Sequence, residues 1–318
     1  MDYIKNNRML SLLGQRGTFG TVLNEVAKDN DKIIAMSADL ARVSGLDGFI
    51  RNYPERYINV GIAEENAVGM AAGIADAGKI PFITTFSNFA VLRANEFVRH
   101  FMSYMNCNVK LVGLASGFAM ELFGTTHYGL EDISVIRSMP NITILSPSDS
   151  LEVAKCVEAS VELDGPVYLR LSGKMNTPIV HKTDYDFKIG KAIVELEGDS
   201  CVVFATGSMV SVALKAAKEL EKEDINVRVI NIHTIKPIDR ECVLANRDKK
   251  LMISIEEHSH IGGLGTAISE ILTEEGYNGR LLRIGTGDSY KKAGTYEYML
   301  EQHGLTVSNL IDNIKNNI

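Results

Sequence analysis

The chain has 318 residues, with 33 Lys and Arg against 40 Asp and Glu for a formal net charge of −7, and it is 45% hydrophobic and 23% charged. At roughly 100–200 residues per domain, this length suggests two globular domains and excludes a disordered or fibrous chain. The acidic balance, without a block of basic residues, speaks against a polyanion-binding protein, because nucleic-acid affinity rests on clustered Lys and Arg displacing counterions.

Compact apolar runs at 32–40, 57–62, 80–86, 109–116, 142–146 and 166–172 read as strands too continuous to be half-exposed. Helical patterns at 18–28, 64–77, 92–105, 133–138 and 151–163 lie between them. Such alternation predicts a mainly parallel sheet with helices on both faces. The pattern lapses across 174–190, then resumes with strands at 201–206, 227–232, 251–255 and 281–284 and helices at 209–222, 265–274 and 295–303. The expected organisation is α/β throughout, in two open-sheet domains covering 1–180 and 190–318.

Cys107, Cys156, Cys201 and Cys242 are scattered, with no C-x-x-C pair, and read as reduced, mostly buried thiols. The start of the chain, MDYIKNNRML, has charges interrupting its apolar residues, and no apolar stretch approaches the ~20 residues of a membrane span. A soluble cytoplasmic protein is the expectation.

Open parallel sheets bind ligands beyond the carboxyl ends of their strands, so the residues that follow each strand matter most. After 57–62 comes Ala63-Glu64-Glu65-Asn66 and a helix rich in small residues. After 80–86 comes Ser87-Asn88-Phe89, and after 109–116 a long loop, 117–130, carrying His127. Three successive strand ends thus present a carboxylate, two aromatics and an imidazole. Each has an ordinary reading. The macrodipole favours a first-turn glutamate, Phe86 and Phe89 could be core aromatics, and loop histidines are commonly solvated. The small residues at 69, 71, 72, 73 and 75 argue instead for close packing and a buried first turn, and a buried glutamate must be paired, protonated or functional.

Taken together, Asn59-Val60-Gly61-Ile62-Ala63-Glu64-Glu65-Asn66-Ala67, Ile83-Thr84-Thr85-Phe86-Ser87-Asn88-Phe89 and Gly124-Thr125-Thr126-His127 closely resemble the pyrimidine-binding domain of transketolase-like, thiamine-diphosphate-dependent enzymes. Glu256-Glu257-His258-Ser259-His260-Ile261-Gly262-Gly263-Leu264-Gly265 and Gly285-Thr286-Gly287-Asp288-Ser289 resemble the family's C-terminal domain. The family also carries a G-D-G motif and a following asparagine that hold Mg²⁺ on the diphosphate. No G-D-G occurs here, and Gly287-Asp288-Ser289, one letter away, lies in the second domain. The resemblance is therefore to the C-terminal half of a split transketolase. It implies a separate partner that carries the diphosphate and Mg²⁺ site, and a heterotetramer built around a homodimer.

The resemblance implies roles for particular residues. Glu64 would hydrogen-bond N1′ of the cofactor's pyrimidine and promote the imino tautomer that lets the coenzyme ionise its own C2 position. Phe86 and Phe89 would pack on the ring, and His127 would face the substrate for proton transfer. Arg16 and Arg170 fall near arginines that hold the phosphate of sugar substrates, although Arg170, ending a strand, could equally belong to a structural ion pair. His258 and His260 read as structural.

Departures from the pattern concern the donor. Counting from Gly124-Thr125-Thr126-His127, Phe123 stands where sugar transketolases carry an aspartate for a donor hydroxyl, and Ala115 where they carry a further histidine. Asn66 also replaces a frequent histidine. Losing a hydroxyl-binding carboxylate can remove discrimination of ~10⁴-fold. The expected reaction is thus a related two-carbon transfer with a modified sugar or short 2-oxo donor. Two other readings stay open: the β-subunit of a 2-oxoacid or acetoin dehydrogenase E1 component, and a silent protein that uses the fold for assembly.

Overall fold

The computed structural model describes residues 1–318. Strands β1 (Ile33–Ser37), β2 (Tyr57–Asn59), β3 (Ile80–Phe86), β4 (Lys110–Ser116), β5 (Thr143–Leu145) and β6 (Val167–Ser172) pair in parallel. The second half contributes β7 (Ile193–Leu196), β8 (Cys201–Ala205), β9 (Val227–Asn231), β10 (Thr234–Lys236), β11 (Leu251–Ser259) and β12 (Arg280–Thr286). The first sheet has seven strands in the order β10-β5-β6-β4-β3-β1-β2, and the second has five, β12-β11-β8-β9-β7. Both are mainly parallel with one antiparallel edge strand, as the alternating sequence pattern implies.

Two edge strands escape the sequence reading. β7 has a mixed burial pattern with no unbroken apolar run, and β10 is only three residues long. β10 also crosses from the second half of the chain to close the edge of the first sheet beside β5. One buried core follows that crossing, joining Ile83, Leu111 and Ile144 to Phe204, Ile230 and Ile268.

The opening helix, Asn7–Val26, starts well before the expected 18 and is broken at Gly14, whose φ of 70° lies in the left-handed region. A Cβ there would stand 2.8 Å from the Lys174 carbonyl oxygen. The aperiodic 174–190 segment packs on this helix, with Ser11 Oγ donating to the Thr177 carbonyl at 2.6 Å and the Thr177 N–H to the Ser11 carbonyl at 2.9 Å. All four cysteines are free thiols, and Cys156 and Cys201 are fully buried. No helix is long and apolar enough to cross a membrane.

Candidate active site

Glu64 opens the helix Glu64–Asp76 directly after β2, and Ala67, Val68, Ala71 and Ala72 bury that helix against the sheet. Close packing carries the first turn inward with it, so Glu64 is only 3% exposed. Thr85, near the end of β3, donates to its Oε1 at 3.4 Å. Arg93 Nη1 donates to both carboxylate oxygens, at 3.0 and 2.9 Å. The glutamate is thus buried and paired rather than solvated.

β3 ends at Phe86, and three residues later the chain enters a π-helical turn, Phe89–Arg93, closed by the Ala94 N–H reaching the Phe89 carbonyl at 3.2 Å. Such turns recur at functional sites. Here the turn folds the Arg93 guanidinium over the Phe89 ring, 4.0 Å from its centroid. The Phe86 and Phe89 rings meet edge to face at 6.1 Å. His127 stands edge-on to both, 5.9 Å from Phe86 and 5.3 Å from Phe89, and Phe123 lies 5.1 Å beyond it. The structure therefore joins Glu64, Phe89, Phe86, His127 and Phe123 in one chain of contacts, with Arg93 as the link between carboxylate and rings.

The loop that carries His127 is pinched at its root by paired backbone hydrogen bonds between Gly117 and Gly129, at 2.8 and 3.2 Å. Asn88 Nδ2 donates to the Thr126 carbonyl at 2.6 Å, and Thr126 Oγ1 lies 2.9 Å from His127 Nδ1. Leu122 and Phe123 at the loop tip are 77% and 65% exposed. The second domain braces the root, since Glu257 Oε1 accepts from the Phe118 N–H at 2.7 Å and its other oxygen accepts from Tyr296 at 2.6 Å. Gly117, at φ 70°, admits that carboxylate, because a Cβ would stand 2.1 Å from it. Burial pushes the Glu257 carboxyl above the usual carboxylate range.

Arg170 is elsewhere. It is 1% exposed, with Nε donating to Asp132 at 2.8 Å and Nη2 donating to the Gly129 and Glu257 carbonyls, each at 3.0 Å. This corrects the substrate-phosphate expectation: β6 points the guanidinium into the domain interface, and the structural alternative describes its place. Arg16 is half-buried, no hydrogen bond or ion pair engages its guanidinium, and burial lowers its pKa. His258 is structural, as expected: Nδ1 donates to the Ser259 carbonyl at 2.7 Å and Nε2 accepts from the Ile133 N–H at 3.1 Å, while burial brings its pKa down to about 4.

Sequence reading missed Arg93, and the roles of Asp132 and Glu257 as partners of Arg170 and of the 117–130 loop. The Phe89–Arg93 spacing of four was a usable signal, since residues so spaced share a helix face. A buried carboxylate set in an aromatic wall, with an exposed cation as its one charged partner, suits a neutral nitrogen heterocycle that needs an acidic hydrogen-bond partner.

Comparison with known proteins agrees with this geometry. The model of the transketolase pyrimidine-binding domain matches residues 13–178, and that of the transketolase C-terminal domain matches 190–310. The 6-deoxy-6-sulfo-D-fructose transketolase subunit of Clostridium sp. is 39% identical over 93% of this chain and 92% of its own length. An apulose-4-phosphate transketolase subunit of Actinobacillus succinogenes is 37% identical over 90% of this chain and 92% of its own. A solved split-gene transketolase, an inactive β4 tetramer, superposes with a TM-score of 0.88 at 36% identity, covering 95% of this chain and 97% of that one. These relatives favour the transketolase reading over the E1 β-subunit. The chain belongs to the transketolase family of thiamine-dependent transferases, as the C-terminal section of a split enzyme.

Proposed function

We propose that this chain supplies the pyrimidine-binding half of a thiamine diphosphate site completed by a separate subunit, which carries the G-D-G motif, the diphosphate and Mg²⁺. The assembly would be a heterotetramer of two subunits of each kind. The observation that carries the reading is Glu64, 3% exposed and tied through Arg93 to the Phe89, Phe86 and His127 rings.

Bound thiamine diphosphate would supply a carbanion-type nucleophile for moving a two-carbon unit from a ketose or 2-oxo donor to an aldehyde acceptor. Glu64 would hold the pyrimidine N1′ through its carboxyl group, and its burial keeps water from competing for that hydrogen bond. Phe86 and Phe89 would set the ring's plane, and their edges offer no polar group to mispair with it. His127, with Thr126 beside its Nδ1, would move protons at the substrate. Arg16, whose guanidinium has no hydrogen-bond or ion-pair partner, would take the substrate's phosphate or other terminal anion.

The donor we propose is a modified sugar. Phe123 lies at the loop tip next to His127, and an exposed phenyl ring gives a polyol donor no hydrogen-bond partner. Relatives acting on 6-deoxy-6-sulfo-D-fructose and apulose 4-phosphate support such a class.

The test is co-purification with the proposed G-D-G subunit and calorimetric titration with thiamine diphosphate, with and without that subunit. Binding is expected only in the complex. Absence of binding by the complex would refute the cofactor reading, and robust turnover of xylulose 5-phosphate would refute the modified-sugar donor.

A further inference from the structure

Arg93 and Arg170 both pair with buried carboxylates, but they are held very differently. Arg170 is 1% exposed and divides its donors among a carboxylate and two backbone carbonyls. The Arg93 side chain is 40% exposed, and Glu64 is its one hydrogen-bonded partner, through Nη1 alone. The acid is fixed in the wall while the cation already faces water. Such a cation can leave without a desolvation cost, because it already touches water and outward movement only adds to its hydration.

The place Arg93 takes is also informative. Its guanidinium is flat, carries N–H donors at its edge, lies 4.0 Å over the Phe89 ring and donates to Glu64. A planar nitrogen heterocycle stacked on Phe89 and hydrogen-bonded to Glu64 would need the same face of the ring and the same carboxylate oxygens. Both cannot be there together. We propose that Arg93 is a gate on the cofactor seat: in the free subunit it stands in for the aminopyrimidine, and it swings out on the Phe89–Arg93 turn when the cofactor enters. This rests on the proposed role of Glu64. The gate keeps an unloaded subunit from burying a bare carboxylate, and it lowers apparent affinity by the fraction of time it is open.

The experiment uses the complex with the G-D-G subunit, stripped of cofactor, as wild type, R93M and R93K. R93M keeps an unbranched side chain without charge or donors, and R93K keeps the charge without the planar fork. Thiamine diphosphate with Mg²⁺ is titrated calorimetrically, and the loading rate is followed by near-ultraviolet circular dichroism. A gate closed nine-tenths of the time predicts an R93M dissociation constant about tenfold below wild type and faster loading, with R93K between them. Weaker binding by R93M would make Arg93 a ligand of the bound ring and overturn the gate. Unchanged affinity and rate would overturn it too. Should R93M fail to fold, R93K carries the same comparison, and wild-type affinity and rate in R93K would overturn the gate. A wild-type complex that takes up no thiamine diphosphate fails the cofactor reading itself, and the gate with it.

Discussion

Arg170 Nε donates to Asp132 Oδ2 at 2.8 Å in a place where both side chains are no more than 1% exposed, and Tyr168 donates to the same oxygen at 2.7 Å. Burial alone would raise the Asp132 carboxyl, but the Arg170 guanidinium, together with the hydrogen bonds from Arg170 and Tyr168, holds the acid below the usual range. Breaking such a pair leaves one charge buried without a partner, a loss of about 3–5 kcal/mol. Asp132→Asn is expected to destabilise the chain by about that much in urea unfolding. A loss under about 1 kcal/mol would show that the buried pair does not hold this part of the interior together.

His181 predicts a pH dependence. Burial would lower its pKa, yet the Asp149 and Glu195 carboxylates, at 3.4 and 2.8 Å, bring it up to about 10 from an ordinary 6.5. A raised folded-state pKa means that the unfolded chain releases the proton first. The contribution is therefore full below pH 6.5 and is lost as pH climbs through about 10. His181→Gln is expected to be less stable than wild type at pH 6 by a few kcal/mol, with the gap closing toward pH 10. Comparing the two proteins cancels the opposite contribution of Lys110, whose pKa burial brings down to about 7. A gap independent of pH would mean that His181 folds neutral.

Glu64→Ala separates catalysis from folding. The substitution leaves Arg93, itself 40% exposed, facing water, so the melting temperature should move little. Activity of the assembled complex should fall by about three orders of magnitude or more, the scale of losing a group the cofactor's ionisation depends on. Unchanged activity would point to the silent-assembly reading.

Phe123→Asp tests donor selection. Since Phe123 is 65% exposed, the change costs little stability, and it places a hydrogen-bonding carboxylate next to His127. The ratio of kcat/KM for polyhydroxylated over deoxygenated donors is expected to rise about tenfold or more. An unmoved ratio would mean that the ring does not face the donor.

Gly117→Ala is expected to loosen the His127 loop. The added methyl would meet Glu257 Oε1 at 2.1 Å in a left-handed backbone. Loss of about 1–3 kcal/mol of stability and a rise in KM are expected, read by urea unfolding and steady-state kinetics of the complex.

Residue order alone was enough for most of the architecture. Every central strand of both sheets is an apolar run bounded by polar loops, so β3, β4, β6, β8 and β11 stand within a few residues of where periodicity puts them. That Glu64, Phe86, Phe89 and His127 stand near one another was legible because each lies at or beyond a strand end in a motif. The edge strand β10 was not, because three residues have no period and its partner β5 lies 89 positions earlier, Leu145 against Thr234.

The site divides in the same way. Chain order determined which chemical groups stand at the ends of the parallel strands, since a strand's direction decides which loop follows it. Only the tertiary structure decided which charges meet. Arg170 was a phosphate ligand or a structural cation until Asp132, 38 positions away, was found against it, and Arg93 was one more residue in a helical pattern until a π turn laid it on Glu64. Pairing of charges is a matter of distance and burial in space, and the linear chain carries neither.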